Sequence, residues 1–180
     1  HKHDHHNNVL VPDSVVTAEE YAKRAVELGH GLLSSVCHGW QGRYIESYEM
    51  AKQYDLKFLF GVEAYLVKNR FEKDRTNAHI ILLAKNENGR RNINRILASA
   101  SIDGFYYRPR IDFDLLFSLP KQDVWVTTAC VGGIWKYEDA EDIIVNMHQH
   151  FGVNFFLEIQ YHNTESQKDI NQKILDLSNK

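Results

Sequence analysis

Cysteine is scarce in this chain of 180 residues. Cys37 and Cys130 are the two present, and no CxxC spacing joins them. That excludes a disulfide-knit secreted scaffold and a zinc finger, and it points to a reducing cytoplasm. No run approaches the roughly 18 apolar residues that span a bilayer, and the charged, His-rich N-terminus does not read as a signal peptide, so no membrane association is expected. A basic excess is also missing. Lys plus Arg is 21 against 24 for Asp plus Glu, a formal net charge of −3, which rules out gripping nucleic acid by bulk charge and leaves only local contacts. There is no Pro- or Gly-rich linker, no low-complexity segment and no short repeat, so one domain over residues 1–180 is expected. The missing initiator Met is read as a start inside a longer polypeptide.

What is present is a globular composition, 43% hydrophobic and 25% charged, with ten histidines. Thr17 followed three residues later by Glu20 has the form of a helix N-terminal capping box, and Tyr21, Ala22, Ala25, Val26 and Leu28 then follow at helical spacing up to Gly29. Leu32–Val36 reads as a strand broken by Cys37-His38-Gly39, and residues 43–54 as an amphipathic helix. Lys57–Val67 reads as a strand, 68–77 as a charged turn or hairpin, and Ala78–Ala84 as the next strand. Helices are expected at 87–101, 113–118, 138–150 and 164–178, with strands at Val124–Ala129 and Phe155–Gln160. This alternation predicts an α/β chain whose helices cover a mostly parallel sheet or barrel.

Several residue types sit where chemistry is done. His1 and His3 have the i, i+2 spacing that points two imidazoles to one side of a strand, and an expression-tag remnant or a His-rich tail is the competing reading. His38 ends a hydrophobic strand beside a glycine that permits close approach. Glu63 interrupts an apolar strand, where a carboxylate needs a cation or several donors unless it faces solvent from an edge strand. His79 begins a strand, and Cys130 closes one before Gly132-Gly133. Arg108 and Arg110 are forked donors suited to phosphates, with pairing to Asp112 or Asp114 as the alternative. His1, His3, His38, Glu63, His79 and Cys130 each fall at or beside an expected strand end, as metal ligands do in α/β barrels.

Four segments carry a family resemblance: Gly61-Val62-Glu63-Ala64-Tyr65, Leu83-Ala84-Lys85-Asn86-Glu87-Asn88-Gly89, Gly104-Phe105-Tyr106-Tyr107-Arg108-Pro109-Arg110-Ile111-Asp112, and Thr128-Ala129-Cys130-Val131-Gly132-Gly133. Over essentially the whole chain the sequence resembles the PHP (polymerase and histidinol phosphatase) domain at the N-terminus of bacterial and phage C-family DNA polymerase III alpha subunits. The resemblance implies a distorted (βα)7, TIM-like barrel with up to three divalent ions, zinc, manganese or iron. It implies His1, His3, Asp13, His38, Glu63, His79 and Cys130 as their ligands. The family's final Asp-x-His pair follows one further strand, so the fold is expected to be truncated at its C-terminal end.

The activity implied is metal-dependent hydrolysis of DNA phosphodiesters, resembling a 3′→5′ exonuclease, with His38, Arg108 and Arg110 in catalytic roles. The partners implied are DNA, the remainder of a polymerase subunit and a proofreading exonuclease subunit. The alternative is a catalytically silent PHP module that stabilises the polymerase or binds the proofreading partner. Cys37 departs from the family, which carries an acid there, and three roles stay open for it: a neighbour that orients His38, a thiolate ligand, or a buried apolar residue. His79, at the start of its strand, implies that this strand returns antiparallel through the 68–77 hairpin.

Overall fold

The computed structural model describes residues 14–42 and 44–178. His1, His3 and Asp13 therefore lie outside the described residues. The first helix, α1 (Ala18–Glu27), starts where the capping box places it. Thr17 Oγ1 accepts from the Glu20 amide at 3.1 Å while the Glu20 carboxylate accepts from the Thr17 amide at 2.7 Å, satisfying amides that the first helical turn leaves open. Then come β1 (Leu32–His38), α2 (Tyr44–Gln53), β2 (Lys57–Leu66), β3 (Ala78–Ala84) and α3 (Glu87–Ile102). The chain continues through β4 (Arg110–Ile111), α4 (Phe113–Phe117), β5 (Val124–Thr127), α5 (Ala140–Phe151), β6 (Phe155–Phe156) and α6 (Glu165–Ser178).

The sheet is mixed, in the order β1-β2-β3-β5-β6, with β4 pairing on the far end of β2. β1 and β2 run parallel, β3 runs against both β2 and β5, and β5 and β6 are parallel. The reversal of β3 is the one expected from the position of His79. It brings the start of β3 to the C-terminal end of β2, where His79 faces Tyr65 across the ladder. The other five strands share one direction, as a mostly parallel sheet requires.

One face of the sheet is covered by helices. Val62, Leu66, Ile80, Leu82, Val124 and Val126 pack there with Ile93 and Ile96 of α3 and Ile144 and Met147 of α5 in the main core. At roughly 25 cal/mol per Å² of apolar surface removed from water, this layer is the dominant favourable contribution to folding. Val36, Ile81 and Ala129 form a separate small cluster that Leu83 packs against. β5 is shorter than Val124–Ala129 because Ala129 takes a left-handed conformation, φ 56°, which turns the chain out of the ladder. β6 is likewise shorter than Phe155–Gln160, and β4 is a two-residue strand with no periodic signature in the sequence.

Candidate metal centre

The register brings four of the chemistry-bearing side chains together. His38, the last residue of β1, aligns with Glu63 of β2, and Glu63 aligns with Ile81 of β3, two residues past His79. Glu63 is buried at 1% exposure, and both its oxygens meet imidazoles: Oε2 is 2.6 Å from His38 Nδ1 and Oε1 is 2.9 Å from His79 Nδ1. This answers the demand that an apolar strand makes of a carboxylate. Cys130 Sγ is 3.6 Å from His79 Nδ1 and accepts the Gly132 amide at 3.3 Å.

Local backbone geometry sets these positions. Gly39 has φ 71°, and a Cβ there would come within 2.6 Å of the Tyr65 ring, so the turn after His38 requires glycine. Gly133 allows the Cys130 loop to close, since a Cβ would meet the Thr128 carbonyl oxygen at 2.1 Å. A second support comes from the segment after β6. Glu158 accepts from Thr127 Oγ1 at 2.5 Å and its amide donates to Thr128 Oγ1 at 3.0 Å, bracing the residues that lead into Cys130. Sequence reasoning missed Glu158; its carboxylate directly after the expected strand residue Leu157 was the available signal.

Charge in the cluster is distributed by these contacts. Burial alone would raise the Glu63 pKa, but hydrogen bonds from His38 and His79 outweigh it and hold the carboxyl well below the usual range. Burial likewise opposes charge on His79, yet Cys130 and Glu63 push its pKa up to about 9. For Cys130, burial works against the thiolate, while the hydrogen bond to His79 and the Gly132 amide bring its pKa below the ordinary thiol value. Without a metal the cluster is thus an anionic carboxylate with a cation beside it and a thiol whose ionisation the neighbouring cation favours.

The donor set fits a divalent ion. One ligand atom each from Glu63, His79 and Cys130 lies within 4.8 Å of the others. Tetrahedral ligands at zinc-like bond lengths stand about 3.5 Å apart, so small rotamer changes suffice. An oxygen, a nitrogen and a sulfur donor suit zinc and its transition-metal neighbours better than magnesium. His38 stands beside this triad through Glu63. Cys37, buried and aligned with Val62 of the helix-covered core, falls on the opposite face from His38 by strand alternation. That placement sets Cys37 apart from the side of the sheet that carries Glu63, His79 and Cys130.

The two arginines part company. Arg110 is corrected: it is 2% exposed, and its guanidinium is consumed by the carbonyls of Gly104, Glu72, Asp74 and Arg70 at 2.7–2.9 Å. Four of its five N–H donors are taken by backbone oxygens, which leaves no fork for a phosphate. Asp112 is taken by Arg70 at 2.7 Å and caps α4 through the Leu115 amide, so neither arginine of the 108–110 pair has it as a partner. Arg108 is half-buried, its guanidinium 5.5 Å over the Tyr65 ring, whose centroid lies 5.4 Å from that of His79.

The family model for the PHP domain matches residues 1–162. The DNA polymerase III alpha subunit of Borreliella burgdorferi is 31% identical over 99% of this chain, and that of Aquifex aeolicus is 29% identical over 97%. In both cases the match spans 16% of the relative's own length. Among solved structures, one from Bifidobacterium adolescentis assigned as a metal-dependent phosphoesterase superposes with a TM-score of 0.55 at 14% identity, covering 92% of this chain and 78% of that one. That likeness shows the shared α/β fold, consistent with a barrel-like arrangement. No helix among the described residues is long and apolar enough to cross a membrane.

Proposed function

This chain belongs to the PHP domain family, and from that premise we propose that it is a metal-dependent phosphoesterase domain acting on DNA phosphodiesters in the manner of a 3′→5′ exonuclease. The observation that carries the reading is the convergence of Glu63, His79 and Cys130 donor atoms within 4.8 Å, with His38 2.6 Å from Glu63. Those residues would hold a divalent ion, and His1, His3 and Asp13 would complete further sites. Bound ions there would supply Lewis acidity toward a phosphodiester oxygen. The chain's own part is to hold Glu63 ionised, to fix the His38 ring against it, and to present Arg108 at the rim for a phosphate. The parent we infer is a replicative DNA polymerase alpha subunit in the cytoplasm, in which residues 1–180 form one domain contacting DNA, the rest of the subunit and a proofreading subunit.

The test is a nuclease assay with the full chain on single-stranded DNA carrying a 5′ label, with zinc or manganese and with chelator. Metal-dependent shortening from the 3′ end that Glu63→Gln abolishes is the expected result. Loss of zinc binding in Glu63→Gln without any cleavage by the unsubstituted chain would turn the reading to the silent module.

A further inference from the structure

Arg110 is spent on building a lobe away from the metal cluster. Its four hydrogen bonds tie residues 70–74 to Gly104, so the segments 68–77 and 104–110 form one unit. These two segments carry six basic and two acidic residues in a chain whose net charge is −3. They also carry exposed rings: Phe71 is 65% exposed, Phe105 61% and Tyr107 59%. The Arg75 guanidinium sits 3.7 Å from the Tyr107 ring centroid, and the Tyr106 ring meets Tyr107 edge-on at 4.8 Å. Lys68 and Arg70 are engaged by Asp139 and Asp112, whereas Lys73 and Arg75 make no ion pair among the described residues.

Water disfavours grouped exposed rings, and such patches mark contact surfaces. The combination here selects among partners. An acidic peptide would satisfy Lys73 and Arg75 but bring no ring to Phe71, Phe105 and Tyr107, of which Phe71 and Tyr107 carry the guanidiniums of Arg70 and Arg75 over them. A single nucleic-acid strand satisfies both, because its bases stack on rings and guanidinium planes while its phosphates meet the cations. A duplex, with its bases already stacked, satisfies only the charge.

We propose that the lobe formed by residues 68–77 and 104–110 is a binding platform for single-stranded DNA, with bases stacking on Tyr107 and Phe105 and phosphates held by Arg75 and Lys73. Arg108 follows Tyr107 directly and lies over Tyr65, next to His79, so a strand leaving the platform passes Arg108 on its way to the cluster. That last direction rests on the phosphoesterase reading; the platform itself does not.

The experiment is fluorescence anisotropy of a labelled oligo(dT) strand with the full chain in EDTA, where no metal-dependent step contributes. Binding is expected to weaken with salt, and Arg75→Ala and Tyr107→Ala are each expected to lose roughly 5-fold or more in affinity. Tyr107 has φ 60°, a conformation that glycine takes without strain. Tyr107→Gly should therefore keep or raise the melting temperature while losing affinity like Tyr107→Ala, and Tyr107→Phe should bind as the unsubstituted chain does. The proposal is overturned if the unsubstituted chain fails to bind oligo(dT), if it binds duplex equally well, or if the folded variants bind unchanged. Equal binding of duplex reduces the lobe to a charge contact, the other two results assign the rings to a protein surface, and none bears on zinc binding by Glu63, His79 and Cys130.

Discussion

His79 touches both of its partners through one atom: Nδ1 lies 2.9 Å from Glu63 and 3.6 Å from Cys130. With its pKa at about 9, it keeps its proton through neutral pH in the metal-free protein, and a divalent ion must displace that proton to bind. Metal affinity is therefore expected to rise with pH toward about 9, by up to tenfold per unit for one proton. Isothermal titration with zinc at several pH values checks this, and a pH-independent affinity would exclude His79 as a ligand. Stability follows a different course. The gain from charged His79 is full below 6.5, its ordinary value, and is lost as pH rises through about 9. The lowered Cys130 pKa works oppositely, its gain being full above 9.0 and lost as pH falls through the lowered value. In the metal-free chain the two offset one another. In Cys130→Ser the melting temperature should then fall as pH rises from 6.5 toward 9, to the extent that Glu63 alone keeps the His79 pKa raised.

At the scale of elements, what was legible is what periodicity and capping encode. The Thr17/Glu20 box fixed the start of α1, and the apolar run of β2 with Glu63 inside it announced a partnered carboxylate. β4 escaped because two residues carry no period, and the early end of β5 because only the backbone shows that Ala129 is left-handed. Glu63, His38, His79 and Cys130 could be named from strand ends, but their convergence depends on β3 running antiparallel, a pairing that local sequence only hints at. The misjudged residue was Arg110, whose exposure was assumed from its charge. Its actual role gives a prediction. Arg110→Lys keeps the charge but cannot reach four carbonyls with one ammonium, so the lobe should loosen and the chain lose roughly 2–4 kcal/mol. Urea denaturation measures this, and a midpoint matching that of the unsubstituted chain would show that water replaces the guanidinium without loss.

For the whole molecule, the decisive property is that the cluster draws on three parts of one sheet. Glu63 lies in β2, His79 in β3 and Cys130 just beyond β5, and β2, β3 and β5 are the strands that hold the main core. An ion held there needs all three strands in place, so its binding free energy adds to global stability. At a hundred times the dissociation constant the gain is about 2.7 kcal/mol, which for a chain of this size raises the melting temperature by roughly 5–10 °C. The His-rich residues 1–6 complicate a stoichiometry measurement but not this one. A chain segment that binds zinc equally in folded and unfolded states contributes nothing to the difference between them. Zinc should thus raise the melting temperature of the full chain and of a Glu63→Gln variant by clearly different amounts, the variant's shift being near zero even if its zinc content is not. The two transitions should coincide when followed by far-ultraviolet circular dichroism and by tryptophan fluorescence, since Trp125 lies within β5. Equal zinc shifts in both proteins would place the stabilising ion elsewhere than at Glu63.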